Sequence, residues 1–118
     1  MTRVIEFSPP MSGIEGEFNT FRLGVAWSKR LNPGEEVLLM DKKLYSVMGS
    51  AKVTGITVGA LREMGALYGS QNHNQKHLPK EGAGERVATA MIKRYGPNRC
   101  CYDSKVTVIH LKYTSPEG

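Results

Sequence analysis

Long apolar runs are missing from this sequence. No window approaches the ~20 apolar residues that a membrane-spanning helix requires. The opening Met-Thr-Arg-Val-Ile-Glu-Phe also lacks the apolar stretch of a secretion signal, so a cytoplasmic chain with no membrane partner is the expectation. Cysteine is nearly absent: Cys100 and Cys101 are the two, and they are adjacent. A vicinal pair rarely bonds to itself, and no second pair exists to complete a metal site. Two thiols in a reducing compartment follow. Gly-x-Ser-x-Gly elbows, Walker-type phosphate loops and dinucleotide fingerprints do not occur. There are no internal repeats or low-complexity tracts. Neither a metal nor a cofactor is implied.

What is present is ordinary for a globular chain. With 118 residues, 40% of them hydrophobic and 23% charged, the sequence suits one domain over 1–118 with a single core, residues 115–118 reading as a tail. Sixteen Lys and Arg stand against eleven Asp and Glu, giving +5 and a pI near 9.4. That excess favours encounters with polyanions, although the basic residues are scattered rather than run together.

Patterning predicts the elements in order. Arg3 to Phe7 is a short strand, ended by Ser8-Pro9-Pro10 because proline offers no N–H to a ladder. Phe18 to Val25 alternates as a second strand, with Phe18, Thr20 and Arg22 on one face and Asn19, Phe21 and Leu23 on the other. Ala26 to Leu31 reads as a connector and Asn32-Pro33-Gly34 as a turn. Strands follow at Glu36–Met40 and Ser50–Val58, with Leu44–Met48 leading into Gly49 and Gly55 a bulge or bend. Gly59 to Tyr68 switches to helical spacing. Gly69 to Gly84 is polar and aperiodic, a long loop of the kind that is functional or mobile. Glu85 to Tyr95 is the strongest helix, its Ala88, Met91, Ile92 and Tyr95 forming one stripe. Gly96-Pro97 stops it, and Lys105 to Tyr113 alternates as a closing strand. This order predicts an α+β fold: a small mixed β-barrel or strongly bent sheet with two or three flanking helices.

The chemistry-bearing residues are few. Thr20 and Arg22 project together from one strand face, and a hydroxyl beside a planar cation suits a polar, phosphate-bearing ligand. Trp27 next to Lys29 and Arg30 reads equally as a base-stacking platform with a phosphate grip or as a core tryptophan before surface cations. His73 and His77 have the i, i+4 spacing of a zinc pair, but Asn74 stands where such a motif has glutamate and no third ligand is evident. Loop histidines, or an imidazole- and amide-rich lip around a ligand, are the expectation. Glu81 and Glu85 are the best-placed carboxylates for acid–base work, while Glu85 also serves as a favourable first-turn charge.

Several of these pieces, in this order, resemble the ASCH group of the PUA-like superfamily over roughly Val4 to Tyr113. The pieces are Phe7-Ser8-Pro9-Pro10-Met11, then Gly16, the strand Phe18 to Arg22 in place of a Lys-Thr-x-Thr-Arg strand, and Trp27. Pro33-Gly34-Glu35, Gly49-Ser50-Ala51-Lys52-Val53 and Val106 to Tyr113 complete the set. The resemblance implies a PUA-like β-barrel with a cleft at one mouth that binds RNA or nucleotides. In some small members it implies hydrolysis of N4-acylated cytidine by a lysine, a threonine and a glutamate. The threonine carries over to Thr20 and the glutamate to Glu81 or Glu85. The lysine position falls on Phe18 or Glu17 instead, which turns the expectation from catalysis toward binding.

The leading expectation is therefore an RNA- or nucleotide-binding module using Asn19, Thr20, Arg22, Trp27, Lys29, Arg30 and Lys52, with the Gly69–Gly84 loop as a flexible rim. One alternative is an amidohydrolase with Thr20 and Glu85 catalytic and Lys52 recruited from a neighbouring strand. The other is a scaffold that docks a protein partner.

Overall fold

Strands built from short alternating segments carry the architecture. The computed structural model describes residues 3–8 and 12–116. The Pro9-Pro10-Met11 break and the last two tail residues lie outside the described residues. Five strands, β1 (Arg3–Phe7), β2 (Glu17–Leu23), β3 (Glu36–Asp41), β4 (Ser46–Ala60) and β5 (Lys105–Pro116), form one mixed sheet in the order β1-β3-β4-β5-β2. Only β1 and β3 are parallel, and every other neighbour is antiparallel. Three helices, α1 (Ala26–Arg30), α2 (Leu61–Tyr68) and α3 (Ala83–Tyr95), complete the α+β arrangement.

The sheet bends hard enough that both edge strands reach one core. Ile5 and Phe7 of β1 and Phe18 of β2 pack in the same cluster as Val37, Leu39, Val53 and Leu111. The bend has local causes in β4. Register shifts at Ser50/Ala51 and at Val53/Gly55 kink its fifteen residues, so its first part pairs with β3 while it follows β5 along its length. Gly55 is thus a bulge, as its position in a β-branched run suggests. Among the described residues no ladder joins β1 to β2. The Arg22 side chain makes the connection instead, donating from Nη2 to the Glu6 carbonyl at 2.8 Å.

A second apolar cluster lies between the sheet and the helices. Phe21, Val106 and Val108 meet Leu61 and Met64 of α2 and Val87, Ala88 and Met91 of α3. The two helices approach closely because glycines face one another. A Cβ on Gly84 would stand 2.5 Å from the Gly65 carbonyl oxygen.

Several boundaries differ from the patterning, each for a tertiary reason. Ala26–Arg30 is a helix, closed by Leu31 N–H donating to the Trp27 carbonyl at 3.1 Å, where a connector was expected. The strand expected at Ser50–Val58 is longer at both ends, running from Ser46 to Ala60. It begins at Ser46 because ladder partners on β3 and β5 carry it through Gly49. β5 runs on past Tyr113 to Pro116 for the same reason, pairing Ser115 with Ser50. The Asn32-Pro33-Gly34 turn forms as expected, with Glu35 N–H donating to the Asn32 carbonyl at 3.1 Å.

The expected long loop is the largest departure. Gly69–Gln71 is a 3-10 turn, and α3 begins at Ala83, two residues before Glu85. Between them the chain is packed rather than free: Asn72, His73 and Gln75 are buried. Asn72 bridges the outer edge of β2 at Asn19, and His73 N–H donates to the Asn19 carbonyl at 3.1 Å. This covers part of an edge that would otherwise stand open.

Gly13 is what allows the 72–77 segment to sit so close. It has φ +68, and a Cβ there would fall 1.9 Å from the His73 carbonyl oxygen. Gly13→Ala is therefore expected to destabilise the fold by roughly 2–3 kcal/mol, from αL strain plus displacement of His73. Urea denaturation checks this; an unchanged midpoint would mean the segment is not held against Gly13.

Candidate ligand-binding cleft

The gap between the two sheet edges is not filled by backbone, and it opens as a cleft of about 710 Å³. Glu6, Phe7 and Ser8 at the end of β1 form one wall, and Thr20, Phe21 and Arg22 of β2 form the floor. Asn72 to Gln75 make a rim, and α3 closes the far side with Met91, Lys93, Arg94 and Tyr95. Strand alternation thus places Thr20 and Arg22 together, as the sequence suggests. The packed segment adds amides and an imidazole beside them.

Arg22 dominates the electrostatics. Its guanidinium lies over the Phe7 ring at 5.2 Å from the centroid and donates to the Glu6 carbonyl. Desolvation lowers its pKa to about 10, and Arg94 nearby pushes in the same direction. At neutral pH it stays protonated. No carboxylate lies within ion-pair distance of it among the described residues. Lys93 and Arg94 line the same cleft, so three cations face one carboxylate, that of Glu6. Arg94 donates to Ser8 Oγ at 3.1 Å, which leaves its charge unneutralised. The cleft is built for an anion.

The rim is held by residues that patterning does not single out. Arg86, on the polar side of α3, donates to Gln75 Oε1 at 2.6 Å and to the carbonyls of Glu81 at 3.1 Å and Pro79 at 2.5 Å. One guanidinium thereby fixes most of the 75–81 turn. From the other side, Lys76 donates to the Glu15 carbonyl, and His77 pairs with the Glu15 carboxylate at 3.1 Å. A flexible rim is not what these contacts describe. In sequence, the only hint of it is Arg86, an arginine in the first half of an otherwise amphipathic helix.

His73 and His77 part company. His73 stands edge-on to Phe7, with ring centroids 5.0 Å apart, and its Nδ1–H donates to the Ser12 carbonyl at 3.2 Å. Burial, reinforced by the Arg22 charge, lowers its pKa to about 4 despite that hydrogen bond. His77 is exposed on Glu15. Among the described residues no group of three or more His, Cys, Asp or Glu side chains could hold a metal ion.

The other sequence candidates lie away from the cleft lining. Trp27 packs on the first core cluster with Arg30 over its ring at 5.4 Å, and Lys29 is exposed on the same helix. Lys52 is exposed on β4 between Glu36 of β3 and Lys112 of β5. Glu85 accepts a hydrogen bond from Tyr102 Oη at 2.5 Å, and Glu81 is exposed at the start of α3. Asn19 is buried, its Nδ2 donating to the Tyr68 carbonyl at 3.0 Å. Its Oδ1 is the buried side-chain atom without a partner among the described residues. A separate hollow of about 290 Å³ adjoins Asn19, lined by Glu17, Thr54, Gln71 and His110. An ordered water is the usual partner of such an atom.

Comparison with known proteins bears on the fold. No family model matches the chain, and no curated protein matches it. Solved structures do. Hypothetical protein PH0355 superposes with a TM-score of 0.66 at 19% identity, over 97% of this chain and 100% of its own. The ASCH protein of Zymomonas mobilis matches with a TM-score of 0.55 at 15% identity, over 96% of this chain and 68% of that one. Protein EF3133 of Enterococcus faecalis, a DUF984 protein, matches at 0.60 and 9% identity, over 86% of this chain. This chain spans 63% of the Enterococcus protein's length. The fold is that of the ASCH, PUA-like structures, as the motif order implies. No helix among the described residues is long and apolar enough to cross a membrane.

The buried imidazoles give the fold a pH signature. The unfolded chain takes up a proton on His73 near 6.5, and the folded chain only near 4. Between those values the unfolded state binds more protons, so stability falls as pH falls. The His73 shift corresponds to roughly 3 kcal/mol over the window, and His110, lowered by its own burial, adds in the same direction. Denaturant midpoints measured between pH 7 and 4, about the span of the shift, should drop steeply, and His73→Gln should flatten that dependence. An unaltered slope in the variant would contradict the buried, neutral His73.

Proposed function

We propose that this chain is a nucleotide-binding module, taking a free nucleotide or one unit of an RNA strand in the cleft between β1, β2 and α3. The observation that carries this reading is Arg22. It is a desolvated cation aimed into a concave site with no carboxylate partner among the described residues. A phosphate would meet its planar fork with charge-assisted hydrogen bonds, with Thr20, Arg94 and Lys93 in the same lining. The remainder of the lining suits a base better than a bare ion. Asn72, Asn74 and Gln75 contribute amide groups to the lining, and the half-buried Tyr95 offers a ring. A volume of about 710 Å³ is in the range of small-molecule sites.

Binding is favoured over hydrolysis by placement. Thr20 lines the cleft, whereas Glu85 and Lys52 do not, and Glu85 is engaged by Tyr102. The three groups that an N4-acylcytidine amidohydrolase reading would assign are therefore not gathered at one point.

Calorimetric titration with a nucleoside monophosphate tests the proposal. Arg22→Ala should weaken affinity about ten- to a hundredfold, the worth of charged hydrogen bonds. Wild-type affinity should fall as salt rises. Undetectable binding, or binding indifferent to both salt and Arg22→Ala, would overturn it.

A further inference from the structure

The tip of the β3–β4 hairpin carries an arrangement that folding does not require. Leu44 and Tyr45 are the most exposed large hydrophobic residues described, at 70% and 75%. Tyr45 also has φ 54, the one non-glycine residue with positive φ among those described. A bulky side chain in that region costs about 1–2 kcal/mol. An aromatic ring held outward at such a cost, making no ring contact among the described residues, is poorly explained by packing.

The tip is also cationic, and its turn is bonded to Asp41. The buried Asp41 carboxylate accepts from Lys43 N–H at 2.8 Å and Leu44 N–H at 3.1 Å, which ties the turn to the end of β3. Lys42 and Lys43 are exposed and form no ion pair among the described residues. No carboxylate lies between residues 42 and 46.

Position ties the tip to the cleft. Phe7 is paired in register with Asp41, and Lys42 N–H donates to the Phe7 carbonyl at 2.9 Å. Phe7 is the ring beneath Arg22 and a wall of the cleft. The hairpin therefore begins where the cleft wall ends. Lys42 and Lys43 follow directly on the strand end paired with the Phe7 wall, and the outward aromatic stands beyond them.

We infer that the β3–β4 tip is a second contact for a single-stranded RNA whose first nucleotide occupies the cleft. Tyr45 stacks a base further along the strand, and Lys42 and Lys43 meet the phosphates between. This rests on the nucleotide-binding reading of the cleft and deepens it, because it makes an oligonucleotide, rather than a free nucleotide, the better ligand. A sequence-tolerant combination of one stacking ring with flanking cations is the general chemistry of single-strand binding.

Fluorescence polarisation with a single-stranded oligoribonucleotide of about ten nucleotides, alongside calorimetry with a nucleoside monophosphate, tests the inference. Wild type should bind the oligonucleotide more tightly than the mononucleotide. Tyr45→Ala should weaken oligonucleotide binding about tenfold, the worth of one stacked base, and leave mononucleotide affinity unchanged. Tyr45→Gly should do the same without loss of thermal stability, since glycine relieves the positive φ. The double substitution Lys42→Ser, Lys43→Ser should reduce the slope of log affinity against log salt by about 1.4, two phosphate contacts' worth on a single strand. Oligonucleotide affinity unmoved by the tip variants, with mononucleotide binding intact, overturns the inference alone. It would leave the exposed ring to a protein partner. Absence of both binding modes in the wild type overturns the cleft reading and this inference with it.

Discussion

The Arg22 guanidinium sits where two sheet edges fail to meet. It donates to the Glu6 carbonyl across the gap and lies on the Phe7 ring, yet no carboxylate neutralises it among the described residues. Hydrogen bonding to a neutral carbonyl and contact with a ring face return only part of the solvation that burial removes. The lowered pKa expresses that deficit. Everything around the cleft is arranged about this charge: the bulged β4 that curls the sheet, the α3 wall with Lys93 and Arg94, and the rim from Asn72 to Gln75.

That rim explains how so polar a segment can be ordered. Residues 72–81 contain little that is apolar, so no hydrophobic stripe can fix them. Backbone and side-chain hydrogen bonds do so instead: a one-residue extension of the β2 edge, the Arg86 clamp, and the Glu15 contacts of Lys76 and His77. Gly13 supplies the closeness that these bonds depend on. The consequence is a cleft whose amide groups are held in place before any ligand arrives, which reduces the ordering cost of binding.

The strands were largely legible because alternation is local. Val4 to Phe7, Phe18 to Leu23 and Val106 to Tyr113 show in their own residues which positions face a core, and the pairing of Thr20 with Arg22 follows from period two. The motif order carried the ASCH, PUA-like fold even though no sequence-level match exists. What escaped was non-local. Helix α1 and the early start of β4 depend on partners elsewhere in the chain. The 69–84 stretch reads as a loop because its order comes from Arg86 and Glu15, which lie outside it in sequence. Trp27, Lys29, Arg30 and Lys52 are plausible partners for Arg22 by type, but α1 and β4 place them outside the cleft lining. Asn19 lies on the strand face it shares with Phe21 and Leu23, and the 72–73 segment covers it.

An arginine retained without a carboxylate among the described residues serves either the fold or a ligand, and the two uses leave opposite traces on stability. Thermal melting of Arg22→Met, with and without a saturating nucleoside monophosphate, separates them, because methionine preserves the packing on Phe7 while removing the charge. If Arg22 is kept for an anion, the free variant melts at or above the wild-type temperature, and the nucleotide raises the melting temperature of the wild type alone. A variant that melts well below the wild type, with both proteins responding equally to nucleotide, would make Arg22 a strut between two sheet edges and contradict the account.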